Sequence, residues 1–171
     1  HAPDPRFVLL SEKLRIPRSL RPTLNQQKFK ITYDTAFHEV IRQCQQTQRP
    51  EQPGTWITDE MLTAYCQLHE LGYAHSVEAW RDGRLAGGLY GISLGRVFFG
   101  ESMFTHESDA SKAAFVTKVL DLQKVGISLI DCQVHTPHLE RFGAEEIPRV
   151  QYMQLLEQAL SNPTHIGKWV R

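Results

Sequence analysis

The chain has 171 residues, 41% of them hydrophobic, and its 19 Lys and Arg balance its 19 Asp and Glu. That length and apolar fraction suit one globular domain with a substantial core, and the neutral balance names no function. Three scattered cysteines, Cys44, Cys66 and Cys132, form no CxxC pair, so composition supports neither a disulfide framework nor a thiolate zinc site. No apolar run is long enough to span a bilayer and no leader-like series opens the chain. A cytoplasmic, metal-free and cofactor-free monomer with no membrane contact is expected, and His1-Ala2-Pro3 looks like a cut end.

In chain order, residues 1–33 read as an extended basic lead-in packed on a domain formed by residues 34–171. Four prolines between Pro3 and Pro22 disrupt any regular period there. The same stretch holds Lys13, Arg15, Arg18, Arg21, Lys28 and Lys30 with no intervening acid, a strip suited to a polyanion or to plain solvation. Phe29 to Tyr33 reads as a strand. Asp34 is placed to cap a helix carrying Ala36, Phe37, Val40, Ile41 and Cys44 at helical spacing, followed by a polar loop over Gln45 to Gly54. A second helix is expected from Thr58 to a glycine stop at Gly72.

The period then changes to two. Ser76 to Trp80, Leu85 to Ile92 and Val97 to Phe104, separated by Asp82-Gly83 and Leu94-Gly95 turns, predict an antiparallel meander. A helix from Ala110 to Val125 follows, with Ala113, Ala114, Val116, Val119 and Leu120 on its apolar face. Leu129 to Val134 is a further strand, His138 to Phe142 a helical turn, and Arg149 to Leu160 a last helix. The fold class is α+β, a mainly antiparallel sheet flanked by helices, and the order β-β-β-α-β resembles the acyl-CoA N-acyltransferase (GNAT-like) fold.

Two segments carry polar residues that the packing pattern leaves unexplained. In Gly100-Glu101-Ser102-Met103-Phe104 a carboxylate interrupts an apolar strand beside a glycine that permits close approach. In Leu129-Ile130-Asp131-Cys132-Gln133-Val134, residues two apart share a face, which sets Asp131 beside Gln133. A half-exposed strand would give the same alternation, but Glu101 on a neighbouring strand favours a pocket floor. His69 and His75 flank Glu70, and His135 precedes His138 by three residues; neither is an HExxH pattern, so ordinary hydrogen-bonded histidines are expected.

These two segments, with Pro3-Asp4-Pro5-Arg6, Gly54-Thr55-Trp56-Ile57, Leu68-His69-Glu70-Leu71-Gly72, Ala74-His75-Ser76-Val77-Glu78, Gly87-Gly88-Leu89-Tyr90-Gly91 and Ala110-Ser111-Lys112, are similar in joint order to the leucyl/phenylalanyl-tRNA–protein transferase family. The resemblance implies transfer of leucine, phenylalanine or methionine from leucyl-tRNA or phenylalanyl-tRNA to acceptor proteins with N-terminal Arg or Lys, marking them for the N-degron pathway. It implies direct attack of the α-amine on the ester, without an acyl-enzyme. It assigns the catalytic positions to Asp131, Gln133 and Glu101: Gln133 orients the amine, Asp131 polarises it and receives positive charge, and Glu101 anchors the donor's α-amino group or ribose.

The resemblance further implies a donor side-chain pocket of Leu89, Gly100, Met103, Phe115 and Ile130, where Leu89 departs from an expected methionine. Trp56 is expected near the terminal adenine and Arg18, Arg21, Lys28 and Lys30 near tRNA phosphates. The family normally carries a small additional N-terminal domain before Pro3, which is expected to be missing. Two alternatives remain open. An acyl-CoA N-acyltransferase would need a pyrophosphate loop, which Arg84-Leu85-Ala86-Gly87-Gly88-Leu89 approaches but does not match. A non-catalytic tRNA-binding module would explain the basic strip but not the polar triplet.

Overall fold

A computed structural model describes residues 3–47 and 55–171. Most of the expected polar loop, Gly54, His1 and Ala2 therefore lie outside the described residues. The strands are β1 (Arg6–Leu10), β2 (Lys30–Tyr33), β3 (Ala74–Arg81), β4 (Arg84–Leu94), β5 (Val97–Thr105), β6 (Leu129–Gln133) and β7 (Glu145–Ile147). The α-helices are α1 (Arg21–Asn25), α2 (Phe37–Gln46), α3 (Asp59–Glu70), α4 (Ala110–Lys124), α5 (Pro137–Glu140) and α6 (Arg149–Leu160). The described strands form one sheet in the order β2-β3-β4-β5-β6-β1-β7. Only β5 and β6 pair in parallel among them, joined through α4 as parallel neighbours require.

The expected α+β class and meander are present. Thr58 caps α3 by accepting from the Met61 N–H, and Gly72 ends that segment at φ +84°. Four expectations need correction. The lead-in is not mostly irregular, because Phe7-Val8-Leu9-Leu10 lies inside the sheet between β6 and β7. Asp34 does not cap α2, whose N-cap is Ala36; it sits at φ +54° and binds His75 and the Ser76 and Trp169 N–H groups. Leu120 is 38% exposed, whereas Lys118 on the same helix is buried. Finally, β7 occupies a stretch for which no strand was expected.

Alternation along the strands separates the cores. Phe7, Leu9, Val77, Leu89, Phe98 and Ile130 face one side and pack with Val116, Val119 and Leu122 of α4. Val8, Val97 and Leu129 face the other side and pack with Tyr152 and Ala159 of α6, while Tyr90 and Phe104 meet α2 and α3. The parallel pairing covers only Val97–Phe99 against Leu129–Asp131. Beyond it β5 continues to Thr105 against β4, while β6 ends at Gln133, so the sheet parts. The site lies in that parting.

Candidate functional site

Where β5 and β6 separate, a cavity of about 560 Å³ is lined by Trp56, Leu89, Glu101, Met103, Phe115 and Gln133, with Gly100, Ile130, Asp131 and Cys132 among its other walls. The expected polar triplet and all five expected donor-pocket residues therefore border one space. Leu89, Phe115 and Ile130 are buried and Met103 is partly buried, which makes one wall apolar and adaptable.

The Asp131 carboxylate is fully buried, and both of its oxygens are occupied. Oδ1 accepts from Arg6 Nε at 2.9 Å and from the Gln133 N–H at 2.9 Å. Oδ2 accepts from Arg6 Nη2 at 2.6 Å and from the Tyr152 hydroxyl at 2.9 Å. A bidentate arginine is the geometry that best compensates a buried carboxylate. Burial, with the Asp131 charge behind it, pushes the Tyr152 phenol up to about 12, so it remains a donor at neutral pH. Asp131 thus reaches the cavity through Gln133 rather than through a free oxygen.

Gln133 leaves strand geometry at φ +68°, a region L-residues rarely adopt, and the next N–H, of Val134, folds back to Cys132 O at 2.9 Å. The bond from its own N–H to Asp131 holds that turn. Its side-chain Nε2 donates to Gly100 O at 3.1 Å and to Glu101 Oε2 at 3.3 Å. A backbone carbonyl can only accept, so the amide orientation is fixed and Oε1 is the side chain's remaining acceptor. Glu101 also bonds to Tyr65, a residue of α3; burial pushes its carboxyl above the usual glutamate range against the pull of these hydrogen bonds.

Cys132 also borders the space, but burial raises its thiol to about 12, so it is inert as a nucleophile. Trp56 is 37% exposed on the cavity rim rather than in the core. Arg18, Arg21 and Lys30 are exposed and Lys28 lies over the Phe29 ring, and none of the four borders this cavity. Sequence reasoning missed Tyr152 and the roles of Arg6 and Tyr65, the latter read as an apolar helix position of the Ala64-Tyr65 motif rather than as a partner of Glu101. Arg6 stood in the Pro3-Asp4-Pro5-Arg6 block, but only contact across the sheet reveals its partner. The histidines have local roles: His69 stacks on Phe37 with ring centroids 4.2 Å apart, His75 bonds Asp34, and His135 bonds Glu140.

Comparison with known proteins gives consistent results. Residues 8–157 match the family profile described as leucyl/phenylalanyl-tRNA protein transferase. A protein named leucyl/phenylalanyl-tRNA–protein transferase from Myxococcus xanthus is 57% identical over 99% of this chain and 72% of its own length. Proteins of the same name from Anaeromyxobacter sp. (strain K) and Aromatoleum aromaticum are 55% and 54% identical, each over 98% of this chain and over 72% and 70% of their own lengths. Among solved structures, a conserved protein of unknown function from Bacteroides thetaiotaomicron shares the fold with a TM-score of 0.53 at 12% identity, covering 94% of this chain and 57% of that one.

Proposed function

The chain belongs to the leucyl/phenylalanyl-tRNA–protein transferase family, and from that premise we propose that it moves leucine or phenylalanine, with methionine a further donor, from tRNA to the α-amine of proteins beginning with Arg or Lys, marking them for degradation. Membership makes it an aminoacyltransferase whose substrates are an aminoacyl-tRNA and a protein. The observation that carries this proposal is the meeting of Glu101 and the Gln133 amide beside an apolar slot in one cavity.

The donor side chain enters the slot formed by Leu89, Met103, Phe115 and Ile130. An unbranched Cβ passes Gly100, whereas a β-branched side chain is too wide there, a discrimination worth about 1–3 kcal/mol per misplaced methyl-sized group. The neutral amine attacks the ester carbonyl, with one of its N–H groups donated to Gln133 Oε1. A tetrahedral intermediate forms and collapses, the C–O bond to ribose breaks, and the proton lost by nitrogen is delivered to the departing ribose oxygen. Asp131 holds the Gln133 backbone for this task. Glu101, the carboxylate facing the cavity, takes the donor's α-ammonium. Trp56 on the rim offers a face to the terminal base, and Arg18, Arg21, Lys28 and Lys30 lie outside the cavity as contacts for the tRNA backbone.

An acyl-CoA reading is disfavoured by the start of α4. A Cβ placed on Gly87 would lie 2.8 Å from Ala110 Cβ and 2.9 Å from Ser111 N, so β4 sits against the helix end where a pyrophosphate would need room. The deciding experiment supplies leucyl-tRNA carrying labelled leucine together with peptides beginning with Arg, Lys or Ala. Label is expected in the Arg and Lys peptides alone. Equal labelling of the Ala peptide, or none of any peptide, would overturn the acceptor assignment.

A further inference from the structure

Lys118 is 4% exposed on α4, yet it borders a second cavity of about 770 Å³ on the α4 side of the sheet. Its Nζ stands 3.1 Å from the centre of the Trp169 ring and 4.1 Å from that of Tyr33. Among the described residues no oxygen accepts a hydrogen bond from it. The nearby carboxylates are all engaged elsewhere. Asp34 is taken by His75 and the Ser76 and Trp169 N–H groups, Asp121 by Tyr33, Lys124 and Arg171, and Glu78 by Thr32, Thr35 and Ser76. The two aromatic faces compensate the ammonium in part, and the cavity is the side on which its N–H groups stay open to an acceptor. Burial accordingly drives this lysine down to about 7.

The rest of the wall has the same sign. Arg96 and Lys168 are exposed on it, and Lys124 borders it in an ion pair with Asp121, the one carboxylate among its described lining residues. A neighbouring groove of about 580 Å³, bordered by Lys30, Lys124, Asp121 and Arg171, shares Lys124 and Asp121 with this cavity. Positive charge therefore continues from Lys30 of the basic strip, past the end of α4, to Lys118. Trp169 cannot serve as a base platform, since one face carries Lys118 and the other stacks on His75 at 3.7 Å. The occupant is thus recognised by its anionic group rather than by an aromatic ring.

We infer that this cavity is a phosphate subsite for the tRNA backbone, in which Lys118, Arg96 and Lys168 hold a phosphodiester of a strand running from the Lys30 strip round α4. The inference rests on aminoacyl-tRNA being the substrate. It places a tRNA contact away from the β5–β6 parting where transfer occurs, on a chain whose total charge is neutral.

Binding of labelled leucyl-tRNA to the native protein, to Lys118→Met and to the surface pair Arg96→Ala/Lys168→Ala, followed between about 50 and 200 mM salt, tests it. Each lost phosphate contact lowers the slope of log K against log salt by about 0.9. Lys118→Met is expected to weaken binding about fivefold at the lower salt and to reduce the slope by about one contact. If that variant fails to fold, the surface pair carries the test with the same expected direction. Native affinity and slope in the folded variants overturn the subsite, as does a Trp169 fluorescence response to inorganic phosphate with no change in tRNA binding, which would assign the cavity to a free anion. Leucine transfer by the native protein is measured alongside. Its absence would refute the substrate reading, while its presence with native tRNA binding by the variants refutes this inference alone.

Discussion

Gln133 shows how a neutral side chain is fixed in place at the wall of a cavity, as the proposed orienting role requires. Its left-handed backbone costs roughly 1–3 kcal/mol and is held by the hydrogen bond to Asp131, itself clamped by Arg6 and Tyr152. Gln133→Glu would set a carboxylate oxygen against Gly100 O and Glu101 where an N–H now donates. Leucine transfer is expected to fall about 100-fold or more and to gain a new pH dependence; unchanged turnover would contradict the orienting role. Asp131→Asn breaks the buried pair and is expected to lower stability by about 3–5 kcal/mol in urea unfolding. Under conditions where the variant is folded, transfer should be lost while tRNA affinity is retained, an outcome that a pure binding module would not give. The raised Glu101 carboxyl adds a pH test: if its ionised form holds the donor ammonium as proposed, kcat/KM should decline with acid at a pH above the ordinary glutamate value of about 4.3, and Glu101→Gln should abolish that limb.

At the scale of elements, the parting of β5 from β6 makes the site, and the glycines of β4 and β5 show which backbone packs and which borders open space. A Cβ on Gly91 would meet Phe99 O at 2.2 Å and Phe98 Cζ at 2.6 Å, whereas a Cβ on Gly100 would meet Asp131 O at an ordinary 3.5 Å. Gly91→Ala is therefore expected to destabilise the fold by about 1–3 kcal/mol. Gly100→Ala should keep the native Tm and raise KM for phenylalanyl-tRNA more than for leucyl-tRNA, because its methyl narrows the slot. A fall in Tm for Gly100→Ala equal to that of Gly91→Ala would remove Gly100 from the donor pocket. The strand β1 belongs to this scale too. It lies between β6 and β7 and carries Arg6 to Asp131, which ties the N-terminal strip to the wall of the β5–β6 cavity.

Across the whole molecule, distant segments are fastened by buried or half-buried acids. Asp121 on α4 receives the Tyr33 hydroxyl at 2.6 Å, Lys124 at 2.6 Å and Arg171 at 3.0 Å, joining β2, α4 and the C-terminal residues. Burial opposes its ionisation, but these bonds outweigh it and hold the carboxyl at about 2, below its unfolded value of 3.8. A depressed folded value contributes stability that is fully present above about pH 4 and is lost as pH falls through about 2. Asp121→Asn is expected to lower stability at pH 7 by about 1 kcal/mol, solvent screening included, and by much less near pH 2. Urea unfolding at the two pH values measures this, and an equal loss at both would show that the carboxylate charge is not what fastens the C-terminal residues.

How much of this was legible depended on whether the signal was local. The bounds of α6, the start of α3 and the meander follow from period and caps that any short window contains. Glu101 and Gln133 stood out because polar groups interrupt apolar strands, and the residues that the family resemblance assigned to a donor slot border the same cavity. The strand β1 escaped because it is buried on both faces and so shows no alternation, and β7 because three residues hold no period. The sequence alone determined the α+β class, the family and a set of residues that share one cavity. Only tertiary structure decided that Asp131 is clamped by Arg6 from 125 residues away, that Gln133 turns left-handed, and that Lys118 on a helix face ends buried against Trp169. Each depends on a contact between segments far apart in the chain, and such contacts follow from how the sheet folds rather than from local spacing.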